Sequence, residues 1–159
     1  MNFAIEETLA IGKIPSGLFI IATENEGKID GFLASFIQQV SMEPLLLTIA
    51  IKPGRPAYDS IMKGNTFTIN IAGDHDKSYM KLFWKGYDEN DNPFDKLDFA
   101  RSKNNGIVMQ QALTSIDCKL LSSSKPGDHE LVIAQVLECH PINDDGKPIT
   151  HIRKNGMSY

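Results

Sequence analysis

A mainly antiparallel β-barrel with short flanking helices is the fold this chain predicts, on three observations. At least six runs of strand length are apolar or alternate with period two. Turn-forming clusters such as Pro126-Gly127-Asp128 and Asp144-Asp145-Gly146-Lys147-Pro148 separate them. Helical spacing is confined to a few short segments, too few for the crossovers of a parallel α/β sheet.

In chain order, Ile5 and Leu9 predict a short helix, with Gly12 as its glycine C-cap. Pro15-Ser16-Gly17 turns the chain into an apolar strand over 18–22. The polar connection 24–28 leads to a partner strand over 29–37, and a third strand covers 45–51. Pro56 opens a second helix whose buried face is Tyr58, Ile61 and Met62, with Gly64 ending it. Phe67, Ile69 and Ile71 alternate with Thr68 and Asn70, the period of a half-buried strand. Asp76 is positioned to cap a third helix with Tyr79, Met80, Phe83 and Trp84 as its core face and Gly86 at its end. Residues 87–106 are polar and rich in Pro, Asn and Asp, which predicts a long loop, a lid or a dimer contact. Ile116, Cys118 and Leu120 mark another strand, 131–137 its return, and 149–152 a last short strand.

With 159 residues and no repeat or low-complexity linker, 1–159 reads as one domain with room for a core. A net charge of −4 argues against a large nucleic-acid footprint, which needs clustered Lys and Arg. The longest uncharged apolar run, 45–51, is too short to span a bilayer. The first residues lack the basic start and apolar core of a signal peptide, and Cys118 and Cys139 have no metal-site spacing. A reduced, cytoplasmic protein is the simplest expectation, and no metal site is expected.

Four segments can carry chemistry. In 31–44, Ser35, Gln38, Gln39 and Ser41 can donate to carbonyl and ring-nitrogen acceptors, while Leu33, Ala34 and Val40 can lie against a ring face. The alternative is a strand and bulged loop with no ligand. Lys52-Pro53-Gly54-Arg55-Pro56 places two cations before a helix start, a physically sensible phosphate site, or else a solvated basic loop. In Gly127-Asp128-His129, a turn-borne His can supply a proton near neutral pH, although a lone turn His is more often a surface residue. The terminal run from His151 to Tyr159 either frays or folds back to offer cations or a ring. Asp74-His75-Asp76 is better explained by helix capping than by metal binding, and no Rossmann glycine motif or nucleophile elbow is present.

Taken together, these segments resemble the flavin reductase-like family of FMN-binding split barrels. The resemblance rests on residues 10–19, Leu33-Ala34-Ser35 with Gln38-Gln39, Lys85-Gly86-Tyr87, Gly127-Asp128-His129 with Leu131-Val132, and 151–156, in that order. Within the family it is strongest to the C-terminal module of diflavin flavoproteins. The resemblance implies a homodimer of six-stranded split barrels with FMN (FAD is possible) near the interface and NAD(P)H as co-substrate. It implies that 33–36, including Phe36, and 38–41 line the flavin ring and ribityl chain, that Lys52 and Arg55 approach the phosphate, and that Asn70 lies in a cofactor-side strand. It also implies that His129 stands on the nicotinamide side and that Arg153 approaches the site from the C-terminal segment. Leu33 stands where relatives often carry Thr, and Leu45 replaces the second Pro of a Pro-Pro pair.

The expected activity is transfer of a hydride from nicotinamide to flavin N5, with His129 orienting or protonating. Two alternatives stay open. One is a flavoprotein that exchanges electrons with protein partners without oxidising NAD(P)H. The other is a split barrel serving as a structural dimer.

Overall fold

The computed structural model describes residues 3–84, 88 and 90–157. The expected helix end at Gly86 and the Lys85-Gly86-Tyr87 segment therefore fall outside the described residues. Nine strands are present: β1 (Phe19–Asn25), β2 (Lys28–Ala34), β3 (Ile37–Ser41), β4 (Leu46–Ile51), β5 (Phe67–Ile71), β6 (Phe99–Arg101), β7 (Ile107–Met109), β8 (Thr114–Ser124) and β9 (Glu130–Pro141). The helices are short: α1 (Ile5–Gly12), α2 (Tyr58–Met62) and α3 (Lys81–Trp84), with a 3-10 turn at Pro93–Lys96.

Seven strands form one antiparallel sheet in the order β2-β1-β5-β8-β9-β4-β3, and β6 pairs with β7 outside it. The two edge strands of the large sheet, β2 and β3, are consecutive in sequence and separated by only Ser35 and Phe36. A two-residue link between opposite edges forces the sheet to curl on itself. The strand expected over 29–37 is thus two strands, broken where it passes from one edge to the other. Counting them as one bent strand gives the expected six; counted separately there are seven, and among the described residues no ladder joins the two edges to close the sheet. Phe36 extends the β3–β4 ladder by one bond, its carbonyl accepting from the Ala50 N–H at 3.0 Å.

Alternation along the strands fills the interior. Ile21, Ile49, Ile51, Phe67, Ile69, Cys118 and Val132 form the inner core with Ile61 of α2. The opposite faces of β1 and β5 are also covered: Leu18, Ile20, Tyr79, Met80, Phe94, Ile107 and Met109 make a second core outside the barrel. This layer corrects two expectations. Residues 87–106 are not a structureless loop, because they contain the 3-10 turn and β6 of the β6–β7 hairpin. Nor is β5 half-buried, since Thr68 and Asn70 are enclosed beneath β7. Their side chains satisfy that strand's backbone, Thr68 Oγ1 accepting from Ile107 N–H (2.8 Å) and Asn70 Oδ1 from Met109 N–H (3.0 Å).

Three smaller expectations also change. Gly12 does not end α1 in a left-handed turn; it is glycine because Asn155 backbone lies where its Cβ would be, 2.6 Å away. Asp76 caps no helix but accepts from Ser78 N–H and Oγ in a local turn, and α3 begins only at Lys81. The strand expected over 149–152 is reduced to isolated bridges, Gly73 with Pro148 and Ser16 with His151.

Candidate flavin site

The β2–β3 link is also where the surface opens. A groove of about 540 Å³ runs along it, walled by Ile14, Pro15, Phe36, Ile37, Leu131 and Ile149 and carrying Ser16, Ser35, Gln38, Thr48 and Thr150 as polar groups. Two smaller recesses of about 130 Å³ and 20 Å³ share Leu33, Ala34, Ser35 and Arg55 with one another, and Lys52 joins the smaller. Ser35 borders all three. The Oγ atoms of Ser16 and Ser35 are buried and have no hydrogen-bond partner among the described residues. A buried hydroxyl without a partner costs free energy comparable to a lost hydrogen bond, so these two are poised for an acceptor or donor arriving in the groove.

Phe36 is braced from two sides. The Arg153 guanidinium lies 4.8 Å from the centre of its ring, a cation–π contact, and His129 meets it edge-on at 5.9 Å between centroids. His129 Nδ1 is 2.9 Å from Asp128 Oδ1. That hydrogen bond, the charge of His129 and, more weakly, the charge of Lys52 hold the Asp128 carboxyl below the usual carboxylate range. The turn 126–129 therefore belongs to the same neighbourhood as Lys52.

The segment bearing Arg153 is held down by α1. Ser16 and His151 exchange backbone hydrogen bonds of 3.0 and 2.7 Å, and Gly156 N–H donates to Thr8 carbonyl. A Cβ on Gly156 would meet Ile11 at 2.6 Å, the counterpart of the Gly12–Asn155 approach. Two glycines thus let helix and tail pack at backbone distance. Arg153 Nη1 also donates to the Gly156 carbonyl at 3.4 Å.

Of the residues picked out in the sequence, Leu33, Ala34, Ser35, Phe36, Gln38, Lys52, Arg55, His129 and Arg153 gather around this one region. Gln39, Val40 and Ser41 continue along the edge strand β3 through a bulge and line none of the three cavities. Asn70 does not reach the groove. It is fully buried, donates to the Ile20 carbonyl and accepts from Met109 N–H and Ser115 Oγ, so its amide is occupied by the fold. The helix after Arg55 adds little to anion binding: α2 is five residues long and starts at Tyr58, after Ala57 at φ 73°.

Sequence reasoning missed Ser16, Thr48 and residues 148–150. Ser16 was visible only as the middle of a Pro-Ser-Gly turn, and nothing local says that its hydroxyl is buried. Trp84 was expected in a helix core; it is 62% exposed and borders the 130 Å³ recess.

An apolar-walled groove with orphaned hydroxyls on its walls and two cations beside it is the chemistry of a planar, polar-edged, phosphorylated cofactor. The fold and groove define a β-barrel with a cleft for a small planar ligand. Residues 11–158 match the model of the flavin reductase like domain, and the chain belongs to that family. It is 33% identical over 153 residues to diflavin flavoprotein A 6 of Nostoc sp. and 31% identical to diflavin flavoprotein A 1 of Synechocystis sp.. In both cases the match covers 94% of this chain and 26% of the relative, so the chain spans about a quarter of those proteins. Among solved structures it is similar to the NADH:FAD oxidoreductase SgcE6 of Streptomyces globisporus C-1027, with a TM-score of 0.81, 15% identity and coverage of 93% and 87% of the two chains. It is also similar to the styrene monooxygenase flavin reductase of Pseudomonas putida S12, with a TM-score of 0.79, 21% identity and coverage of 91% and 90%. At these identities the likeness is one of fold, the split barrel.

Proposed function

We propose that the chain is an NAD(P)H-dependent flavin reductase that holds FMN in the Ser35 groove, with FAD as a second possible flavin. The carrying observation is the pair of buried, unpartnered hydroxyls of Ser16 and Ser35 on a groove flanked by Lys52 and Arg55. A bound flavin supplies the hydride chemistry; the protein supplies position and electrostatics. In this reading Ser16 and Ser35 hold a polar ring edge, and Lys52 and Arg55 pair with the phosphate. Arg153 and His129 keep Phe36 fixed as an apolar wall. His129, held through Nδ1 by Asp128, is in this reading the residue that orients the nicotinamide or supplies a proton.

Assembly as a homodimer is part of the proposal. Val40, Met42 and Leu45 are exposed around the β3–β4 hairpin, and Leu45 receives the Val136 N–H next to exposed Leu137. Such a contiguous apolar edge suits burial against a second copy. A cytoplasmic location belongs to the same reading; among the described residues no helix is long and apolar enough to cross a membrane.

One finding favours a second reading. The relatives named as diflavin flavoproteins carry this module within a chain about four times as long. A protein that keeps FMN and trades electrons with a redox protein partner, without oxidising NAD(P)H, would suit that setting. Anaerobic stopped-flow with NADH and NADPH separates the two. Bleaching of the flavin absorbance by either nucleotide establishes the reductase; an oxidised spectrum with both establishes the carrier. A protein that neither carries flavin nor quenches added FMN fluorescence ends both.

A further inference from the structure

Just before α3, Tyr79 and Met80 are buried, and within α3 Phe83 packs edge-on against Phe94, with centroids 5.4 Å apart. Trp84 has no part in that core. Its indole is 62% exposed, on the rim of a recess that also includes Arg55, His151, Leu33 and Ala34. Arg55 is shared with the small recess where Lys52 also stands. A large aromatic surface left in water beside a guanidinium pairs two recognition elements, a stacking platform and an anion partner.

We propose that this recess binds an adenosine 5′-phosphate moiety, with the adenine stacked on Trp84 and the phosphate paired with Arg55. A bicyclic indole offers a face matched to a purine, and every base has a π-face that can stack on an aromatic side chain. Two molecules of the proposed reaction carry this moiety, FAD in its second half and NAD(P)H in its adenosine half. The inference rests on the flavin reading only for those two sources; the recess itself is testable alone.

The chain contains a single tryptophan, so its intrinsic fluorescence reports on Trp84. Titration with 5′-AMP should quench that emission saturably, while ribose 5-phosphate should not. Because the side chain is exposed, Trp84→Ala should leave the fold intact, and Trp84→Phe should restore part of any lost affinity. If FAD is the source, Trp84→Ala weakens FAD about tenfold and leaves FMN within about twofold. If the nicotinamide dinucleotide is the source, KM for NADH rises about tenfold and the FAD-to-FMN affinity ratio stays unchanged. No quenching by millimolar 5′-AMP would overturn the proposal. So would unchanged FAD-to-FMN and NADH parameters in Trp84→Ala. Failure of FMN to bind at all would sink the flavin reading, whereas the 5′-AMP titration would still judge the recess.

Discussion

Asp117 and Ser35 are both buried polar residues on the same barrel, yet one is saturated with partners and the other has none. Asp117 is fully buried toward the end of the barrel that carries the β1–β2 turn. Its carboxylate accepts from Thr68 Oγ1 at 3.0 Å, from Ser102 Oγ and from Asn104 Nδ2 at 3.4 Å, and meets His140 Nε2 at 3.1 Å. Glu138 extends the network through Asn104 and Lys103. Asp117, Glu138 and His140 are close enough to hold a metal ion. Their mutual contacts and the donors around Asp117 already account for the carboxylate, so the cluster reads as structural. At the other end, Ser16 and Ser35 Oγ are enclosed but unanswered. On the proposed function, the contrast separates polar groups that serve the fold from two hydroxyls that await a ligand.

Substitutions at the two ends should differ in kind. The largest loss of stability is expected from Asp117→Ala, which leaves buried Thr68 and part-buried Ser102, Asn104 and His140 without this carboxylate; a drop of about 3 kcal/mol or more should appear in urea unfolding. Were the loss below about 1 kcal/mol, the network would not be the structural element described here.

Next comes Tyr79, which anchors the segment leading to Trp84. Burial pushes its phenol up to about 12, with Asp76 adding to the effect. The unfolded chain loses this proton near pH 10 while the folded protein keeps it, so the unfolded state binds fewer protons across that window. Stability should therefore fall as pH rises from about 10 to 12, by roughly 2 kcal/mol from this group. A shallower alkaline slope in Tyr79→Phe than in the parent checks the assignment.

Gly12→Ala tests the clasp between α1 and the tail. The added methyl meets Asn155 backbone, so overpacking should cost about 1–2 kcal/mol. If the tail yields instead, protease cleavage within 150–157 should accelerate and flavin affinity should fall as Arg153 leaves Phe36. Unaltered cleavage, affinity and melting temperature would dismiss the clasp.

The smallest stability effect belongs to Ser35→Ala, within about 1 kcal/mol and of either sign, because the hydroxyl has no partner to lose. Its effect should surface in binding, with flavin Kd raised roughly fivefold, the size of one neutral hydrogen bond. A Ser35→Ala protein that is clearly destabilised yet binds flavin normally would invert the contrast.

Much of this was legible along the chain because it depends on local chemistry. Period-two alternation and Pro/Gly/Asp turns marked β4, β5 and the β8–β9 turn to within a residue or two. The same local reading placed Ser35, Arg55 and His129 in candidate segments. It also led Asn70 and Trp84 astray. Alternation says that Asn70 faces away from the barrel core, but not that the distant β6–β7 hairpin covers that face and uses its amide. Helical spacing groups Trp84 with Tyr79, whereas a helix of only four residues leaves the indole outside.

Sequence alone determined most strands of the large sheet, the main turns and the kinds of donor and cation available, since each follows from a residue and its immediate neighbours. Only tertiary structure decided that the chain crosses from one sheet edge to the other at Ser35–Phe36, and that Ser16, Arg153 and His129 converge there. Phe36 meets His129 and Arg153 from 93 and 117 positions away along the chain. Their geometry is set by the closing curvature of the sheet and by two glycines that let α1 meet the tail, which no local pattern encodes.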